Sequence, residues 1–215
     1  MHKIASISPW LYFLDSSQEC AMNSSLPEKM RVFVAIPVPP PLIQRLKSLI
    51  GELKPLNGDV KWVRPESIHL TLKFLGNVPA KRLNEIFAAV AAASSGIEPF
   101  ALVARNLGAF PSLTRPRVFW VGFDDSGREA LAHLQARIEQ AMVDLGFPEE
   151  NRPFTPHLTL GRVRSPKNLK PLIETFSRLS FQPVPMPVDR VQVMRSQLRR
   201  EGAHYTVLKE LILTG

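Results

Sequence analysis

The chain has 215 residues, 45% hydrophobic and 21% charged, the balance of a globular protein and not of a disordered or fibrous one. Its 27 basic and 19 acidic residues give a formal charge of +8 and a pI near 10.0; this suits an anionic partner such as nucleic acid or nucleotide, or is simply a basic surface. Cys20 is the single cysteine, which excludes an internal disulfide and fits a reducing, cytoplasmic setting; no Cys/His cluster has zinc-ligand spacing, so neither metal nor other cofactor is expected, and no apolar run reaches the about 18 residues of a membrane span.

Residues 1–29 differ in character from the rest of the chain. Ile4 to Leu14 is mildly apolar but interrupted by Ser6, Ser8 and Pro9, which makes a poor signal peptide. A disordered extension, or an upstream start codon with the working domain beginning at Met30, accounts for it better. From there the pattern predicts one domain over 30–215. Val32 to Ile36 reads as a buried strand ended by prolines, and Leu42, Leu46, Leu49, Ile50 and Leu53 recur at helical spacing. Val60 to Val63 is a brief strand, Pro65-Glu66-Ser67 a turn, and Ile68 to Leu75 a strand closed by Gly76-Asn77.

Pro79 opens a second helix running to about Ala93. Phe100 to Leu107 and Val118 to Phe123 read as strands separated by a loop over Gly108 to Arg115. A third helix runs from about Ser126 to Leu145 with Gly146 as its stop signal. The loop Pro148 to Pro156 leads into another strand, residues 167 to 178 form a short helix, and Val188 to Arg195 and Tyr205 to Leu213 make a final strand pair. Between that pair, Arg195 to Gly202 is polar, basic and expected to be exposed. The order suggests an α+β fold of two pseudo-symmetric lobes, each an antiparallel sheet backed by helices, with a cleft between them.

One tetrapeptide occurs twice: His69-Leu70-Thr71-Leu72 and, 88 positions later, His157-Leu158-Thr159-Leu160. On a strand, His and Thr share one face and the two leucines the other. Either copy alone describes an ordinary half-buried strand; the doubling, each copy after a proline-containing turn, makes it a candidate site. Two imidazoles can supply one base and one acid near neutral pH, and two hydroxyls can donate hydrogen bonds to phosphoryl oxygens. In-line hydrolysis of a phosphodiester needs those parts and no metal. Which histidine is acid and which is base stays open, because the two copies are nearly symmetric. Lys73 shares the nominal face of His69 and Thr71, where it either adds charge to the cleft or is a solvated lysine at the strand end; Phe74 falls with the leucines. Trp62 and Phe110 can stack a nucleotide base or simply pack. His2, His133 and His204 lack a threonine partner and read as structural or surface residues.

The duplicated motif resembles that of the two-histidine phosphoesterase superfamily. The stretches Arg31-Val32-Phe33-Val34-Ala35-Ile36, His69 to Gly76, Gly108-Ala109-Phe110-Pro111, Arg117 to Gly122 and Pro156 to Arg162 are similar to its RNA 2′,3′-cyclic phosphodiesterase branch, also called 2′-5′ RNA ligases. The resemblance covers about Arg31 to Leu213. It implies a cleft between two lobes, a substrate of tRNA-like or oligoribonucleotide ends bearing a 2′,3′-cyclic phosphate, and opening of that ring to a 2′-phosphate. It also implies His69 as proton donor, His157 as proton acceptor, and Thr71, Thr159 and Arg162 as phosphate-binding residues. Strict pleating puts Arg162 on the leucine face, so it reaches the cleft only if the strand bulges near Gly161. The protein is expected to act as a monomer away from membranes. Alternatives are 2′-5′ ligation by the same site, hydrolysis of small cyclic or 2′-5′-linked nucleotides, and a basic RNA-binding module without catalysis.

Overall fold

The structure is a computed structural model that describes residues 28–199 and 202–215. The expected extension, residues 1–29, lies outside the described residues except for its last two, and the first strand already begins at Lys29. The elements are β1 (Lys29–Pro37), α1 (Pro40–Leu53), β2 (Val60–Trp62), β3 (His69–Pro79), α2 (Leu83–Ser94), β4 (Phe100–Phe110) and β5 (Val118–Phe123). They continue as α3 (Arg128–Asp144), β6 (Leu158–Val163), α4 (Leu169–Arg178), β7 (Val184–Val188), β8 (Arg190–Arg199) and β9 (Gly202–Ile212).

The helices begin and end where local chemistry directs. Pro40 and Pro41 supply the first turn of α1, where a missing N–H costs nothing, and Leu42, Leu46, Leu49, Ile50 and Leu53 form its buried face. α3 ends at Gly146, whose φ of +81° only glycine adopts cheaply. There the Phe147 and Gly146 amides close back on the Met142 and Val143 carbonyls at 3.0 and 2.8 Å.

All the strands pair antiparallel in one sheet of order β7-β4-β5-β6-β3-β1-β8-β9, with β2 paired to β6. Its two halves meet at the motif strands β3 and β6 through one residue pair, Leu70 opposite Leu158. Helices α2 and α3 pack together behind the β3-β1-β8-β9 half; α1 and α4 lie behind the half that contains β4 and β7. The lobes are therefore not the two halves of the sequence. After β1 the chain crosses over for α1 and β2, and the β8–β9 hairpin returns to β1 at the end.

Several boundaries depart from the sequence expectations. β3 runs on to Pro79, so the helix expected to open there starts at Leu83 after a 3₁₀ turn. β4 continues through Phe110. Arg195 to Arg199 is strand, not loop, since β8 pairs with β9 to its tip. β7 escaped the sequence reading because Pro185 and Pro187 argue against a strand; it is tolerated as the sheet's edge, paired only with β4. One apolar core runs through both lobes, and a separate small cluster of Phe33, Ala35 and Met194, with Tyr205 against it, lies on the opposite face of the sheet. Among the described residues no helix is long and apolar enough to cross a membrane.

Candidate active site

The Leu70–Leu158 pair fixes the geometry of the motifs. Both leucines are buried in the core, at 1% and 0% exposure, so the residues flanking each of them project from the opposite face. That face carries His69, Thr71, His157 and Thr159, all half-buried. Continuing the antiparallel register sets His69 against Thr159 and Thr71 against His157, a square with the imidazoles on one diagonal.

Each imidazole is oriented the same way. His69 Nδ1–H donates to the Ser67 carbonyl at 2.9 Å, and His157 Nδ1–H to the Thr155 carbonyl at 2.7 Å. A carbonyl accepts only, so both rings carry their proton on Nδ1 and keep Nε2 as the free base. Aromatic rings complete the support. Phe33 stacks on His69 with centroids 4.7 Å apart, and Tyr205 meets it edge-on at 4.9 Å. Phe110 meets His157 edge-on at 4.9 Å.

Beyond each threonine the strand carries one extra residue. Ala35 faces Thr71 but its neighbour Val34 faces Lys73; Trp120 faces Thr159 but its neighbour Phe119 faces Gly161. Leu72 and Lys73 therefore both turn inward, as do Leu160 and Gly161, and alternation resumes one step late. This returns Phe74, 64% exposed, and Arg162 to the cleft. The bulge supplies the departure from pleating that Arg162 required. It also corrects two readings of β3: Phe74 is not core, and Lys73 is neither in the cleft nor solvated. Lys73 is 5% exposed, ion-paired with Glu139 of α3, and donates to the Pro148 carbonyl at 2.6 Å.

His69, Thr71, His157, Thr159 and Arg162 all line one cavity of about 530 Å³, a size typical of small-molecule sites. Its wall also holds Arg31, Lys61, Arg64, Phe33, Phe74 and Tyr205, and, among the described residues, no Asp or Glu. Burial is the main influence on both histidines, pushing His69 down to about 4 and lowering His157 from its ordinary 6.5. The Ser67 and Thr155 carbonyls oppose this, and the Arg162 charge adds to it at both rings. In the free protein near pH 7 both imidazoles are thus neutral. An anion between them stabilises a proton on one, which converts a pair of bases into an acid and a base.

Sequence reasoning missed Arg31, Lys61, Arg64 and Tyr205 as cleft residues. The first three carried a signal, since each sits on or beside a short strand in a basic chain, but which face they take depends on register. Of the aromatic candidates, Trp62 lines the cleft while stacking on the core ring of Phe119, and Phe110 packs on His157 outside the cavity wall. His133 and His204 are exposed and apart from the site; His2 lies outside the described residues. No group of three or more His, Cys, Asp or Glu is placed to hold a metal among the described residues.

A bilobed α+β sheet that presents two His-Thr pairs to one basic cleft defines a phosphoesterase architecture, and comparison with known proteins gives the family. The model of LigT-like phosphoesterases matches residues 36–120 and again 121–205, each span holding one motif. The chain belongs to that family. It is 36% identical over 179 residues to an RNA 2′,3′-cyclic phosphodiesterase of Methanothermobacter thermautotrophicus, covering 83% of this chain and 96% of that protein. A protein of the same name from Thermotoga maritima is 33% identical over 187 residues, covering 86% and 97%. A solved structure from Thermus thermophilus superposes with a TM-score of 0.70 at 28% identity, covering 86% of this chain and 98% of that one. Escherichia coli LigT in complex with 3′-AMP, at 24% identity and a TM-score of 0.70, covering 87% and 100%, shares the fold.

Proposed function

We propose that this protein hydrolyses the 2′,3′-cyclic phosphate at the 3′ end of an RNA to a 2′-phosphate, without a metal ion. Water attacks phosphorus in line with the P–O3′ bond, its proton passing to Nε2 of His157. The P–O3′ bond breaks, and His69 gives its proton to O3′, leaving a 3′-hydroxyl and a 2′-phosphomonoester. Thr71 and Thr159 donate hydrogen bonds to the phosphoryl oxygens, and Arg162 neutralises their charge. The observation that carries this reading is a cleft with two Nε2-free imidazoles and two threonines on one face, walled, among the described residues, by four cations and no carboxylate. The names of the relatives support the substrate. Which histidine is the acid follows the resemblance in the sequence. Burial makes His69 the harder to protonate, so in this assignment the bound phosphate supplies the proton affinity that the free cleft lacks.

The test is incubation with an oligonucleotide ending in a 2′,3′-cyclic phosphate, in excess chelator, with 2′- and 3′-phosphate products resolved. A 2′-phosphate end formed at an undiminished rate is the expected result. A 3′-phosphate, or dependence on added metal, overturns the proposal.

A further inference from the structure

The β2 strand and the turn after it add a charged wall that the chemistry at phosphorus does not use. Lys61 of β2 lies directly opposite Arg162 of β6 in the antiparallel pair. Two like charges facing each other across such a pair destabilise it unless an anion joins them. Arg64 follows three residues later, at the start of the 3₁₀ turn Pro65–Ser67 whose last carbonyl orients His69. All three side chains are exposed and line the cavity, and none forms an ion pair among the described residues. The nearby carboxylate of Asp59 is taken by the Ser165 hydroxyl at 2.6 Å. Arg162 stands three positions beyond Thr159, ~10 Å along the strand, and Lys61 stands beside it on β2 at the same level.

We propose that Lys61 and Arg64 form a second phosphate subsite, which holds the phosphodiester on the 5′ side of the terminal nucleotide. The site then favours oligonucleotide ends over cyclic mononucleotides, which have no such phosphate. This inference rests on the hydrolytic reading, deepens it to a length preference, and assigns two residues to that preference.

The experiment compares kcat/KM on a 2′,3′-cyclic mononucleotide with that on a tetranucleotide bearing the same terminal nucleotide. It uses the wild-type protein, the double variant Lys61→Gln/Arg64→Gln, and Lys170→Gln. The last removes a charge from the exposed side of α4, outside the cleft. The wild-type ratio favours the tetranucleotide, and the double variant lowers that ratio about tenfold, as for lost charged hydrogen bonds. Between about 50 and 200 mM salt its log–log slope on the tetranucleotide is shallower by about 0.7, one phosphate contact on a single strand. An unchanged ratio and slope overturn the subsite. So does an equal fall in Lys170→Gln, which would trace the effect to net charge. Wild-type protein that turns over neither substrate overturns the hydrolytic reading itself, and the subsite with it.

Discussion

The two motif strands share four residues and a bulge, yet they present different chemistry to the cleft. On β3 the bulge buries Lys73 against Glu139 and returns an aromatic ring, Phe74, to the surface. On β6 it buries Gly161 and returns a cation, Arg162. Position for position, the residues four beyond each histidine are Lys73 and Gly161, and those five beyond are Phe74 and Arg162. The histidines differ in setting too: Phe33 stacks on the face of His69 and Tyr205 meets it edge-on, while Phe110 meets His157 edge-on and Trp120 lies tilted against it at 6.4 Å. Duplication supplies the paired acid–base geometry, and the side chains around it make the halves unequal, with a stacked ring on one histidine and none on the other, and with an aromatic ring returned by one bulge and a cation by the other.

The largest break comes from the shared residues. His69→Ala and His157→Ala each lower kcat on the cyclic phosphate by ~10²–10⁴-fold, the contribution of one general acid or base. Wild-type turnover in either variant would remove the pairing from the mechanism. The buried ends of the two bulges come next. Lys73→Met leaves the Glu139 carboxylate enclosed without its cation, at a cost of ~3–5 kcal/mol in urea unfolding. Gly161→Ala costs less, ~1–3 kcal/mol, because its Cβ would stand 2.7 Å from Val60 Cγ1 and 2.9 Å from the Trp62 ring, and β2 must shift. A larger loss in Gly161→Ala than in Lys73→Met would reverse the ranking of the two bulges.

The histidine environments also predict opposite trends with pH for stability and for catalysis. His69, at about 4 when folded and near 6.5 when unfolded, binds fewer protons in the folded state between those values. Stability is therefore full above pH 6.5 and falls as pH drops toward about 4; His69→Gln flattens that slope. For catalysis one ring must be protonated, so kcat/KM, which reports the free protein, peaks on the acid side with its upper limb below pH 6.5. The kcat profile, which reports the phosphate-bound state, lies at higher pH. Coincident profiles would mean that the anion does not set the proton affinity of the site.

The sequence made the motifs legible because a period of two is a strong local signal and a repeated tetrapeptide needs no tertiary knowledge. His69, Thr71, His157 and Thr159 fell on one face as alternation required. What it concealed was register. Lys73 and Phe74 exchanged faces through a bulge defined by a neighbouring strand, β1, which no local pattern in β3 encodes. Arg162 shows the reverse case, in which family likeness overrode pleating and agreed with the bulge. Lys61 lies opposite Arg162 only because two strands a hundred residues apart in the chain pair in one register, so its place in the cleft could not be read from its neighbours.

The finest test separates Arg162 from Phe74, the two residues that the equivalent bulges of β6 and β3 return to the cleft. Arg162→Gln removes a positive neighbour of both imidazoles, so each gains proton affinity and the kcat/KM profile moves to higher pH. It also loses one charged hydrogen bond to phosphate, about tenfold in kcat/KM at the optimum. Phe74→Leu leaves the charge near the histidines untouched, so the profile keeps its position while KM rises by no more than the loss of one stacked ring, ~1–3 kcal/mol. Measuring both variants across pH 4.5 to 8, about the range in which histidine titrates, sharpens the comparison between the strands. A profile that shifts with Phe74→Leu and stays fixed with Arg162→Gln would place the electrostatic control of the site on β3, contrary to the geometry of the cleft.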